Sequence, residues 1–77
     1  MNDANRNKLR KAVGLMDKAN AIVEGCLIEE QIAYEHLPES IADGKTGRQM
    51  LEHIEYMEDA VDGMRDIREL LVGIAGK

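Results

Sequence analysis

The sequence predicts an all-α fold: an antiparallel two-helix hairpin, about 4–36 and 47–75, that dimerises into a four-helix bundle. Three observations lead there. Apolar residues recur at alternating steps of three and four through both halves of the chain. The strongest helix breakers gather in one central stretch, 37–46, which reads as the connecting turn. One Pro, two aromatics (Tyr34 and Tyr56) and five Met suit a soluble helical protein with an aliphatic, Met-rich interior. With 77 residues there is room for a single domain.

The first helix follows from Leu9, Ala12, Met16, Ala19, Val23, Cys26, Glu30 and Ala33, one stripe at helical spacing. It should stop near His36, because the residue before Pro38 is pushed out of the α region. His36 then sits where the helix dipole favours a cation, which suits a capping role. Pro38 suits the first position of a short turn through Ile41, and Asp43-Gly44 ends it. Thr46 to Gln49 reads as a capping box that opens the second helix. Met50, His53, Met57, Ala60, Met64, Ile67, Leu71 and Ile74 carry its stripe.

In an antiparallel hairpin, facing positions have residue numbers with a constant sum. Leu9 with Ile74, Ala12 with Leu71 and Ala33 with Met50 all give 83, and small residues meet large ones. Glu30 falls opposite His53, a core polar pair that would fix register as one polar layer does in a coiled coil.

A chain this short usually needs a staple or a partner. The single Cys26 allows no internal disulfide and suits a reducing, cytoplasmic setting, where it reads as a small core residue. Leu15, Ile22, Ile28 and Ile32 widen the apolar arc of the first helix, and Leu51, Ile54 and Val61 that of the second. These residues are assigned to an oligomer interface, most simply a homodimer. Charge constrains the pairing. Residues 24–62 hold eleven acids and two bases, a balance of −9, and the remainder of the chain balances to +4. Two hairpins with loops at opposite ends would set unlike charges together.

A net charge of −5 argues against direct nucleic-acid binding, which needs clustered Lys and Arg. The polar start, Met1 to Arg6, is unlike a signal peptide, and no apolar run approaches the roughly 18 residues of a membrane span. Di-iron bundles need Glu-x-x-His on helices, but Ala33 and Met50 stand three before His36 and His53. The carboxylates Glu55, Glu58, Asp59 and Asp62 are similar to those that hold Mg²⁺ in all-α nucleotide pyrophosphohydrolases, but Glu29-Glu30 followed by Glu35 breaks the spacing of that family. No catalytic, cofactor or metal residue is therefore assigned. Gly14, Ala21, Gly25 and Ile28 form a further stripe on the first helix. Glu35, Glu39, Asp43, Glu52 and Glu55 gather at the loop end as a surface for a basic partner.

The stretch Glu29 to Ile41, with Gly47-Arg48-Gln49-Met50 and Met57 to Asp62, resembles a family of small uncharacterised helical proteins of phages, prophages and bacteria. These carry a central E-x-A-Y-x-N-L-P-E-S-I/L element followed by an acidic amphipathic helix. Here His36 replaces the Asn, and the basic start of the first helix departs from the acidic family pattern. The resemblance implies a helical hairpin and a phage accessory context, and no activity. The function expected is that of a non-enzymatic, homo-oligomeric interaction protein. One alternative is an acidic inhibitor of a host defence or nucleic-acid-binding protein. The other is a Mg-dependent nucleotide pyrophosphohydrolase.

Overall fold

Asn2 starts the first helix. Its backbone is extended, and its side-chain oxygen accepts from the Asn5 amide at 2.7 Å, satisfying one of the free donors at the helix start. Helix α1 then runs Asp3–Glu35 in a computed structural model that describes residues 1–76. Two more helices follow, α2 Glu39–Ala42 and α3 Lys45–Ala75, and no strand occurs among the described residues. The all-α hairpin is therefore present, with the short turn formed as its own helix.

Pro38 ends α1 and opens α2. The α1 cap, His36, donates Nδ1–H to the Ile32 carbonyl at 2.9 Å; a carbonyl only accepts, so this nitrogen carries the proton. The Pro38 carbonyl accepts from the amides of Ile41 and Ala42, both at 2.9 Å. The second long helix corrects one expectation. Gly44 caps α3 with no side-chain bond, so Thr46 lies inside the first turn and forms no capping box. The reason is steric. Gly47 is buried, and a Cβ on it would stand 1.9 Å from the Ala42 carbonyl oxygen. The turn folds so tightly on α3 that the helix begins beneath it, and only glycine fits there. At the far end Gly76, at φ 74°, closes α3 by donating its amide to the Val72 carbonyl at 2.8 Å.

The pair of long helices makes a rod of 58 × 14 × 13 Å. Its seam uses one of the two expected position sets on each helix and, apart from the half-buried Ala12, replaces the other. Leu9, Met16, Val23 and Glu30 are half-buried as expected, but their companions are Val13, Asn20, Leu27 and Tyr34. Ala19, Cys26 and Ala33 are exposed instead. On α3, Met50, Met57, Met64 and Leu71 keep their place, joined by the buried Gly47, Ile54, Val61 and Ala75. His53, Ala60, Ile67 and Ile74 are exposed. At about 100° per residue, a step of three lands near −60° and a step of four near +40°. Choosing the wrong one turned the expected seam by about 50° on each wheel. The register shifts too: the cross-helix pairs Asp17–Arg68 and Arg10–Ala75 both give a residue sum of 85, not 83.

Candidate interaction surfaces

Two expected interface residues, Ile54 and Val61, are corrected by the seam. They are 7% and 6% exposed, packed inside the chain's own hairpin. The other five stay on the surface: Leu15, Ile22, Ile28 and Ile32 of α1, and Leu51 of α3, range from 42% to 68% exposed. They do not share one face. On the helical wheel Leu15 and Ile22 lie to one side of the seam, whereas Ile28, Ile32 and Leu51 lie to the other.

The side of Leu15 and Ile22 holds a second stripe. On α1 it steps by three and four from Ala12 to Ala33, and on α3 from His53 to Ile74. These steps pass through Ala19, Cys26 and Ala33 on α1 and His53, Ala60, Ile67 and Ile74 on α3, the positions displaced from the expected seam. Because the helices are antiparallel, their wheels turn in opposite senses when viewed from one end. A rotation of about 100° from each seam therefore brings both stripes to the same side of the rod. Between those limits the two stripes contain a single Asp, Glu, Lys or Arg, Glu29, besides the imidazole of His53 at one end. Ile67, Leu70, Ile74 and Tyr56 are 50–69% exposed on the α3 part.

The core polar pair is also corrected. His53 is exposed and Glu30 only half-buried, and among the described residues no hydrogen bond or ion pair joins them. Sequence reasoning missed the polar groups that do cross the seam. Arg68 grips Asp17, Nε to Oδ1 at 2.6 Å and Nη2 to Oδ2 at 3.4 Å. The hydrogen bond and the charge of Asp17 hold the Arg68 guanidinium above its already high ordinary pKa. Arg10 donates Nη2–H to the Ala75 carbonyl at 2.8 Å, placing a cation at the negative end of α3. Asn20 enters the seam with its amide on Glu24 at 3.3 Å and its buried Oδ1 unpartnered among the described residues. Opposite charges whose numbers sum to 85 were the signal for Asp17 and Arg68, legible once the register is right.

Asn20, Asp17 and Arg68 border a groove of ≈ 380 Å³ with Met16, Met64 and Arg65. A second groove of ≈ 360 Å³ continues it past Arg10, Val13 and Val72. Both are shallow and lie on the side away from the second stripe.

At the loop end Glu35, Glu39, Asp43, Glu52 and Glu55 are all exposed, and none has an ion pair among the described residues. Arg48 reaches the Asp43 backbone carbonyl at 3.4 Å, not its carboxylate. Glu52 accepts from the Tyr56 hydroxyl at 2.9 Å; this bond, the Glu52 charge, desolvation and Glu55 together raise the phenol pKa. Among the described residues no three His, Cys, Asp or Glu side chains converge as ligands of one metal ion would. No described helix is long and apolar enough to cross a membrane. Comparison with protein-family models, curated proteins and solved structures finds nothing that matches this chain.

Proposed function

We propose that the chain is a self-associating, non-enzymatic helical interaction protein, a hairpin that becomes a four-helix bundle by pairing with its own copy. One observation carries the reading: the hairpin leaves too much surface exposed for its size. Its accessible surface is 5728 Å², against about 4,700 Å² expected of a compact monomer of this mass. The excess, about 1,000 Å², is close to the roughly 800 Å² that each partner contributes to a standard interface. Among the described residues only Ile54, Val61 and Ala75 form a buried apolar core, while eleven large hydrophobics stay exposed. A single hairpin offers each long helix one long neighbour, α2 covering only the start of α3, and the second stripe has none.

The accessory role in a phage or prophage belongs to this proposal through the central Ala33 to Ile41 element. The loop-end acids support a second contact, with a basic protein surface, since none of them is neutralised by an ion pair among the described residues. Such contact would weaken steeply with salt. Light scattering tests the main reading. The expected mass is twice 8.6 kDa at tens of micromolar chain, and a folded species of 8.6 kDa overturns it.

A further inference from the structure

We propose that the hairpins pair through the second stripe, loops at opposite ends, about a two-fold axis level with Ile22 and Gly63. This rests on the self-association just proposed and specifies its face, direction and register. The face is set by composition. The stripe from Ala12 to Ala33 and its counterpart from His53 to Ile74 form a long side of the rod with a single Asp, Glu, Lys or Arg, Glu29. The opposite side carries the Asp17–Arg68 bridge and both grooves.

Direction follows from charge. Loops at the same end would lay the −9 block of 24–62 against its own copy, whereas loops at opposite ends lay it against the +4 remainder. The level follows from overlap and from small residues. The numbers 22 and 63 sum to 85, the register of the cross-helix bonds, so both helices meet the axis at one height. That height is midway along the paired helices, and sliding the copies in either direction loses overlap.

Reflection about it interlocks the stripe with itself. Ala19 comes to within a residue of the height of Cys26 of the second copy and Ala60 of that of Ile67, while Tyr56 comes opposite Leu70, so the small Ala60 meets a large residue and the two bulkiest side chains pack on each other. Gly63 meets Gly63 at the axis, and a Cβ there would find open space within its own chain. Glu29, the one charge in the stripe, reaches the height of Leu15 in the second copy, which Lys11 and Lys18 flank. Neither Lys has an ion pair among the described residues.

Cysteine cross-linking tests the register in the full chain with Cys26→Ala. Ile22 is 68% exposed and Leu15 57%, so neither substitution disturbs the seam. Under mild oxidation Ile22→Cys should convert to a disulfide-linked dimer, whereas Leu15→Cys should stay unlinked, since its two copies stand about 20 Å apart along the rod at 1.5 Å per residue. Dimeric mass with Leu15→Cys linking as readily as Ile22→Cys overturns the register. Linking of Ile22→Cys only when mixed with Gly63→Cys means loops at the same end and overturns the direction. Linking through Ile28→Cys alone overturns the face. A monomeric mass of the parent chain overturns self-association itself.

Discussion

The two ends of the rod are closed by different physics. At the loop end, backbone meets backbone: the space for one Cβ on Gly47 is already taken by the Ala42 carbonyl. At the terminal end, long side chains reach across, Arg10 to the Ala75 carbonyl and Arg68 to Asp17. A backbone contact has no flexible part to give way, so it tolerates almost no substitution. A guanidinium bridge is adjustable, partly solvated and sensitive to salt. The loop end should therefore dictate the register of the hairpin, and the terminal end should only trim it.

The largest effect belongs to Gly47. Gly47→Val should cost about 3 kcal/mol, because either the turn or the first helical turn of α3 must move away. Gly14→Ala gives the contrast, since nothing lies within 4 Å of a Cβ there; it should gain up to about 1 kcal/mol from helix propensity. Urea denaturation at one fixed chain concentration reads both, the concentration being held because self-association would add to stability. Equal effects at the two glycines would remove the contrast between the ends.

Arg10→Ala comes next. It strips a charged donor from the last carbonyls of α3 and should cost about 1 kcal/mol, with hydrogen exchange rising first in the last turn before Gly76. Asp17→Asn should cost less, because both partners of that bridge are about half exposed. Its loss should shrink further toward 1 M salt, where screening extends to only about 3 Å. A salt-independent loss at Asp17 would mean that the bridge acts by packing and not by charge.

These differences also mark how far the sequence could be read. Pro38 placed the end of α1 within a residue, because its steric demand on the preceding backbone needs no tertiary partner. The stripes were harder. Leu9, Met16, Val23 and Glu30 belong to the seam under either spacing, but Ala12, Ala19 and Cys26 compete with Val13, Asn20 and Leu27 for the other column. Where an apolar arc is broad enough for two neighbours, local periodicity gives its width and not which half faces which neighbour. The sequence offered Ala, Cys and Ile in one column and Asn20 in the other, so hydropathy favoured the column left open to solvent in the single chain. The same difficulty placed His53 in the core. Gly47 went unnoticed for another reason: its role depends on how α2 folds back, a contact no spacing rule contains. The loop-end acids were legible at once, since an unpaired charge stays on the surface whichever way the helices turn.

The smallest expected effect is a proton. Tyr56 lies in the loop half of the rod, on the second stripe, and its hydroxyl donates to Glu52. That bond raises its pKa, so the folded chain holds the phenol proton more tightly than the unfolded chain does. The contribution is fully present below the ordinary tyrosine value of about 10 and is lost as pH rises through the higher folded value. Glu52→Gln should bring the Tyr56 ionisation back down, read by ultraviolet titration with Tyr34→Phe removing the other phenol. Pairing of hairpins through this stripe would take further water from Tyr56, which is 62% exposed in the single chain, and move the ionisation higher still. Dilution should then lower the titration midpoint in the parent chain. A midpoint independent of concentration across the dissociation range would place Tyr56 outside the contact, and with it the α3 part of the proposed face.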